Sequence, residues 1–461
     1  MKTTIKSLGM VILGVGLFVV GCAKEQSTTW DSFKEPKTAE QLKQFVSEKE
    51  AQANAATNKM PSEFKTFFAA AKKGDWLSVS NDFENMRKRS HDFDHPGPND
   101  ERLQGVQWQA VKEVWGGFCA FCEGDEKYCA SFSRDIINSI PTGSIYFGGT
   151  DPGRFLITAM QKSHVNADPF FTLTQNALTD GTYLDYLYSM YGNKIYVPAA
   201  EDLTRCIEEY KEDLERRAAL GQLQPGEGVK TEDNRMAIAG QVSVMKINGL
   251  LTKIIFDKNP DREFYIEVSF PLDWMYPYLE PHGLIFKINR QPLSGLSDEI
   301  VRRDHDYWTN CVQPMIGGWL NADTTVEEAA AFAEKVFLRH NFSGFHGDPR
   351  FVQNAYAHRT FSKLRSSLGG LYAWRAQQAT DASEKKRMND EADFAFRQAW
   401  ALCPYSPEPV FHYVNLLLSQ NRASDALLVA ETAAEFPSQP GIDVAQMQNL
   451  VDQLKQFQKT R

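Results

Sequence analysis

SIYFGGTDPGRF, residues 144–155, decides how the middle of this chain is read. Ser144 to Phe147 is a short run of β-branched and aromatic residues, as a buried strand requires. Gly148 and Gly149 permit a sharp exit, and Pro152 suits the first turn of a helix, where no N–H is needed. A strand leaving through glycines into a helix is the layout with which open parallel sheets cradle phosphates or sugars. The dinucleotide fingerprint Gly-x-Gly-x-x-Gly and the Gly-Lys-Ser/Thr of a P-loop are both missing, and Asp151 would repel an anion at a helix N-terminus. The stretch is therefore expected to be mechanical, with Thr150 or Asp151 capping the helix.

The same alternation continues on both sides. FFTLTQN (170–176), KIYVP (194–198), EFYIEVSF (263–270) and GLIFKIN (283–289) read as strands. RFLITAMQKSH (154–164), TYLDYLYSMYG (182–192), DLTRCIEEYKEDLERRAAL (202–220) and VMKINGLLTKIIF (244–256) read as helices. Strands that alternate with helices imply crossover connections. The expectation for 141–291 is thus an α/β domain with a mostly parallel, Rossmann-like sheet and helices on both faces. The polar stretch 224–241 interrupts it as a loop or small hairpin.

Open parallel sheets bind ligands at the carboxyl ends of their strands. The polar residues expected there are Thr150, Asp151 and Arg154, then Gln175, Asn176 and Asp180, then Asp273 with Trp274. Acids, amides and an indole suit sugar hydroxyls better than anions, although the same residue types also cap helices and form turns. Gly-x-Ser-x-Gly and His-Glu-x-x-His are absent, and His282 and His346 fall in loops without acid partners nearby in sequence. No catalytic residue, metal or cofactor is assigned, and whether the chain is an enzyme is left open.

Phe64, Phe67, Phe68 and Ala71 recur at helical spacing, Gly74-Asp75 breaks the run, and Trp76, Val79 and Phe83 resume it. This opens an N-terminal helical region over 61–140. A helical connector over 292–361 carries Thr325-x-x-Glu328, a capping box ahead of an apolar face. In the C-terminal region 362–461, Ala392, Phe396 and Ala399 are followed 34 residues later by Ala426, Ala430 and Ala433, and Pro404 is answered by Pro437. Leu368-Gly369-x2-Tyr372 matches the first-helix half of the same unit. This pattern resembles the tetratricopeptide repeat, in which small residues let two helices approach and a proline ends the second. The usual first-helix tryptophan is missing, Ala430 replaces a large residue, and residues 379–387 are inserted. Two such repeats are few, so neighbouring parts of this chain are expected to fill their concave face, with a final helix capping the stack.

Residues 1–21 combine Lys2 and Lys6 with an apolar run from Leu8 to Val20, as a signal peptide does. Val19-Val20-Gly21-Cys22 resembles the lipobox of bacterial lipoproteins, which implies acylation at Cys22, export and anchoring to a membrane. Residue 23 is Ala, which by the same resemblance implies the outer membrane, facing the periplasm. Residues 22–60 are read as a tether, with part of it open to being helical. The net charge is −9, and −11 once the two lysines of the leader are removed (−9 − 2), which speaks against a nucleic-acid partner. Cys119, Cys122 and Cys129 lack a fourth metal ligand nearby, so a disulfide from Cys119 or Cys122 to Cys129 is expected instead.

SIYFGGTDPGRF, DPFFTLTQNAL, DWMYPYLEPHGLIFKIN and TFSKLRSSLGGLY resemble an uncharacterised bacterial family of tetratricopeptide-containing proteins. The α/β part is also similar to the soluble region of bacterial membrane proteins related to protein O-mannosyltransferases, whose membrane bundle this chain lacks. The expected function is a lipid-anchored interaction protein that binds another protein of the cell envelope. The alternative is a carbohydrate-binding or glycan-processing protein using the strand-end crevice.

Overall fold

A computed structural model describes residues 36–56, 60–90, 100–104, 106–223, 227–232, 235–268, 272–437 and 444–459. The leader and Cys22 lie outside these residues. Among the described residues no helix is long and apolar enough to cross a membrane.

In chain order the elements are α1 (Pro36–Ala56), α2 (Ser62–Lys73), α3 (Trp76–Lys88), α4 (Gln109–Glu123), α5 (Glu126–Ser139), β1 (Ile145–Gly148), a π-helical turn (Pro152–Leu156) leading into α6 (Ile157–Met160), and β2 (Phe171–Thr174). They continue with α7 (Gly181–Tyr191), α8 (Ala200–Ala219), β3 (Gly228–Glu232), β4 (Arg235–Ala239), α9 (Gln241–Lys258), β5 (Phe264–Ile266), β6 (Leu279–His282) and β7 (Ile285–Ile288). The remainder is helical: α10 (Asp298–Ile316), α11 (Val326–Phe332), a second π-helical segment (Ala333–Leu338), α12 (Pro349–Gln353), α13 (Ala355–Gln378), α14 (Ala382–Leu402), α15 (Pro407–Ser419), α16 (Ala423–Ala434) and α17 (Val444–Lys459). The described chain divides into two compact units, a smaller one of residues 173–262 and 272–274 and a larger one holding the rest.

The larger unit begins with α1. Residues 36–56, expected as part of a partly helical tether, form a helix that is packed rather than free, with Leu42, Phe45, Val46 and Ala53 buried. These four provide the apolar stripe that packs on α2, α4 and α6, a stripe diluted in sequence by the intervening Lys, Gln and Glu. The α2–α3 pair forms as its spacing predicts. Gly74 closes α2 at φ 72°, a left-handed conformation suited to glycine, and Asp75 accepts the Ser78 N–H to open α3.

The sheet has five strands in the order β2-β1-β5-β7-β6. β1 and β5 run parallel in the register Tyr146↔Tyr265, whereas β5 and β7, and β7 and β6, are antiparallel. The expected mostly parallel sheet is therefore corrected to an open mixed one. The reason lies in the connection: GLIFKIN is not reached by a helix but by a tight turn at Gly283 (φ 62°) from the unpredicted strand β6, and a turn so short forces antiparallel pairing.

The C-terminal helices stack in succession, α13 on α14, α14 on α15, α15 on α16 and α16 on α17, consistent with a helical-repeat region. Leu368, Gly369, Tyr372, Ala392, Phe396, Ala399, Pro404, Ala426, Ala430 and Ala433 are all buried in it. A Cβ at Gly369 would stand 2.8 Å from the Phe396 ring, so glycine sets how closely α13 and α14 approach. The inserted residues do not bulge: Asp381 caps α14, and the two helices are simply long, at 24 and 21 residues. Other helices of the same unit cover part of this stack. Arg365 of α13 is fully buried, donating to Asp304 of α10 at 2.8 Å and to Gln398 of α14 at 2.7 Å, while the Tyr372 hydroxyl donates to the same Asp304 at 2.8 Å. α11 packs on α14 and α16.

The smaller unit contains α7, α8, the β3–β4 hairpin and α9. The Tyr210 hydroxyl meets Ser243 Oγ at 3.1 Å and joins α8 to α9. KIYVP is not a strand. Its backbone is satisfied by a side chain instead: Asn259 Oδ1 accepts the Tyr196 N–H at 2.8 Å, and Asn259 Nδ2 donates to Tyr196 O at 3.2 Å. Burial of Ile195 and Val197 explains the apolar pattern without a neighbouring strand.

Candidate functional site

The loop after β1 does hold a carboxyl group, and the group is the chain's own. Glu267, immediately beyond β5, is fully buried. Its Oε2 accepts the N–H groups of Gly149 at 2.9 Å and Thr150 at 2.6 Å, and its Oε1 accepts the Thr150 hydroxyl at 2.6 Å. Successive N–H groups at a turn form an anion-binding concavity, and here a carboxylate fills it from inside. Burial pushes the Glu267 carboxyl up from its usual range, against the donors from Thr150 and Gly149 that pull it down. Thr150 also accepts the Gly153 N–H at 3.0 Å, so it is the capping residue. Asp151 makes no cap and pairs with Arg154 at 2.7 Å. A Cβ at Gly153 would come within 2.0 Å of Glu267 Oε2, so glycine there is what admits the carboxylate. Sequence reading missed Glu267, yet a lone carboxylate inside the apolar run FYIEV signalled that donors had to be supplied to it.

The other expected ligand residues lie in the smaller unit, and most are engaged locally. Asp180 caps α7 by accepting the Thr182 N–H at 2.9 Å. Asp273 pairs with Lys246 at 2.5 Å, and the Trp274 indole donates to Gly249 O at 3.0 Å. Gln175 is buried and Asn176 half-buried, the latter with no partner for Oδ1 among the described residues.

The expected disulfide is not formed. Cys122 and Cys129 are not disulfide-bonded, and Cys129 lies against Ala120 O at 3.4 Å. The turn between α4 and α5 is instead held by that contact and by Asp125, which caps α5. Burial pushes up the thiols of Cys129, Cys206, Cys311 and Cys403, to about 11 for Cys206 and about 12 for Cys311 and Cys403, away from the thiolate form that nucleophiles and metal ligands need. His282 is structural, its Nε2 meeting Ser139 O at 2.8 Å.

A buried charged cluster went unseen in the sequence because its members come from three distant segments. Lys49 of α1 lies 2.6 Å from Glu113 of α4 and 2.6 Å from His164 Nδ1. An ammonium donating to Nδ1 leaves the proton on Nε2, which faces Thr172 O at 3.4 Å. Burial lowers both the lysine and the histidine, His164 to about 3, so the imidazole is neutral. The cluster clamps α1 to its neighbours.

One opening is present that no motif announced. A cavity of about 420 Å³ lies between the end of α10, the end of α11 with its π-helical continuation, and the loop 339–348. Ile316 and Val336 are buried in its wall, and Trp319, Phe332 and Phe345 are half-buried around it. Trp319 lies 4.3 Å from Phe332, and Phe345 lies 6.1 Å from Phe332, all inclined rather than coplanar. Lys335 and His346, both exposed, complete the lining. The i→i+5 bond from Arg339 N–H to Glu334 O widens the helix here, a feature frequent at functional sites.

Comparison of the chain with protein-family models, with curated proteins and with solved structures gives no match.

Proposed function

We propose that this chain is a non-catalytic binding protein of the bacterial cell envelope, anchored through Cys22, whose smaller unit and stacked C-terminal helices engage another envelope protein. The observation that carries this reading is the distribution of exposed apolar side chains. Of the seven large hydrophobic residues left exposed among the described residues, Tyr188, Tyr196, Ile207, Leu220, Leu223 and Val244 belong to the smaller unit, and Leu77 belongs to the larger. Scattered apolar residues need no explanation, and it is their concentration in one unit that supports reading that unit as the one that meets a partner. Tyr188 is 67% and Leu220 63% exposed, so each is available to a partner. Support also comes from the local engagement of Asp151, Asp180, Asp273 and Trp274, which leaves few groups for chemistry.

The test places a photo-crosslinking amino acid at Tyr188 or Leu220 in intact cells, with Lys211 as the polar control. A discrete protein adduct from Tyr188 or Leu220, absent from Lys211, is expected. Absence of adducts from both apolar positions would overturn the reading. Replacing Cys22 by Ala should release the protein from membranes, and retention in the membrane fraction would remove the anchor from the proposal.

A further inference from the structure

We infer that the cavity between α10, α11 and the loop 339–348 is a binding site for a small aryl carboxylate, a flat ring bearing its carboxylate one or two bonds away. This inference stands apart from the partner reading, since it uses only residues of the larger unit.

Size comes first. A volume of about 420 Å³ falls within the range of ~300–1,000 Å³ typical of small-molecule sites and accommodates one or two fused rings. The walls then select shape. Trp319 and Phe332 meet at 32°, and Phe332 and Phe345 at 43°, so an inserted ring finds both faces and edges, the arrangement aromatic groups prefer. The Trp319 indole N–H already donates to Ile316 O at 3.0 Å, which leaves the tryptophan as an apolar wall.

Charge selects the rest. The lining contains no Asp, Glu, Asn or Gln, so it lacks the carboxylates and amides that suit sugar hydroxyls. It does contain Lys335, whose ammonium has no ion-pair partner among the described residues, although the chain as a whole carries −9. Nearby carboxylates are already engaged, Glu334 by Arg339 and Asp348 by Lys127 and the Tyr128 hydroxyl. A cation without a partner at the edge of an apolar cavity favours a ligand that brings a negative charge to the rim and a ring to the interior.

Gly318 provides the means to close the site. The three atoms nearest a Cβ there all belong to the Gln313 side chain, the first at 3.5 Å, an ordinary contact, and its backbone is not left-handed, so a β-carbon can be added.

The experiment titrates the full chain with phenylacetate and indole-3-acetate, with benzyl alcohol and phenethylammonium as uncharged and cationic counterparts, by ligand-observed NMR and calorimetry. Both acids should bind, and the neutral and cationic probes should bind at least roughly tenfold more weakly, the equivalent of one modest ion pair. Lys335→Glu should weaken the acids by roughly the same factor, and Gly318→Leu should abolish binding with the melting temperature nearly unchanged. No binding of either acid up to roughly 10 mM, equal binding of benzyl alcohol, or an unaffected Lys335→Glu would each overturn the inference. Lys335 is exposed, so that variant decides the matter even where Gly318→Leu disturbs folding.

Discussion

Two places in the larger unit hold glycine-rich loops beside a π-helical segment, and they have opposite fates. At Gly148–Gly149–Thr150 the donors converge on Glu267, and no room remains. At Gly317–Gly318 and Gly344 the backbone curves around a cavity whose cation has no ion-pair partner among the described residues. The first place has the sequence dress of a ligand cradle and is closed by the chain itself. The second has no motif and is open. A binding loop is thus defined less by its glycines than by whether the fold supplies its own occupant.

Alanine at one glycine from each place gives the sharpest contrast. At Gly153 the added Cβ would lie 2.0 Å from the Glu267 carboxylate, which must leave its three donors or push the loop away. Overpacking together with loss of hydrogen bonds to a buried charged group puts the destabilisation at about 3 kcal/mol or more. At Gly318 the same methyl group finds ordinary contacts and allowed backbone, so the change should stay within about 0.5 kcal/mol and can be stabilising through the unfolded chain. Denaturant midpoints of the two variants measure the difference. Equal midpoints would break the contrast between closed and open loops.

Local chemistry was legible in the sequence wherever one residue type determines one geometry. The α2–α3 break at Gly74-Asp75, the capping box at Thr325 and Glu328, and the close approach at Gly369 all appear where their residues predict. What could not be read were pairings over distance. Strand direction depended on whether Tyr278 to Pro281 was coil or strand, and YPYLEP carries two prolines that argue against a strand, tolerated here because β6 is an edge. α1 was hidden because its core-facing residues are few and its buried Lys49 looks like a surface residue until Glu113 and His164 are brought to it. The candidate ligand residues could not be weighed in the sequence for the same reason. Asp273 and Asp180 are visible as polar residues near strand ends, but whether a polar residue is free depends on partners elsewhere, as Lys246 shows.

Acid should probe the closed interior in particular. His358 is enclosed by Phe337 and Phe351, with its Nε2 2.6 Å from the Tyr405 hydroxyl, and burial lowers it to about 3. His164 is lowered to the same extent. An unfolded histidine takes up a proton near pH ~6.5, while these two stay neutral in the native state until about 3. Their contribution is therefore complete above pH ~6.5 and is lost as pH falls toward the native values, at up to ~1.4 kcal/mol per pH unit for each ring. His358→Phe should remove one ring's share of the slope between pH ~6.5 and ~5, where most carboxylates remain ionised. The slope of the urea midpoint with pH is the measurement, since loss of the Tyr405 contact shifts its absolute level. An unchanged slope would mean that the His358 site opens to water.

The smallest effects separate residues that hold the fold from the polar residues expected at the strand ends. Thr325 accepts the Glu328 N–H at 3.2 Å and Glu328 accepts the Thr325 N–H at 2.7 Å, fixing the start of the helix that brings Phe332 and Lys335 to the cavity. Thr325→Ala removes one of these reciprocal bonds and should lower stability by ~1 kcal/mol. Phenylacetate binding should persist, because Phe332 lies beyond the first turn, where the cap acts. Asp273 is 77% exposed in its pair with Lys246, a setting in which ion pairs contribute less than ~1 kcal/mol. Asp273→Ala should therefore be close to neutral in melting, and it should leave binding to a glycan panel at the wild-type level, as should Asp151→Ala. Loss of glycan binding in either variant would return the strand-end residues to the centre of the function and make the open cavity the secondary site.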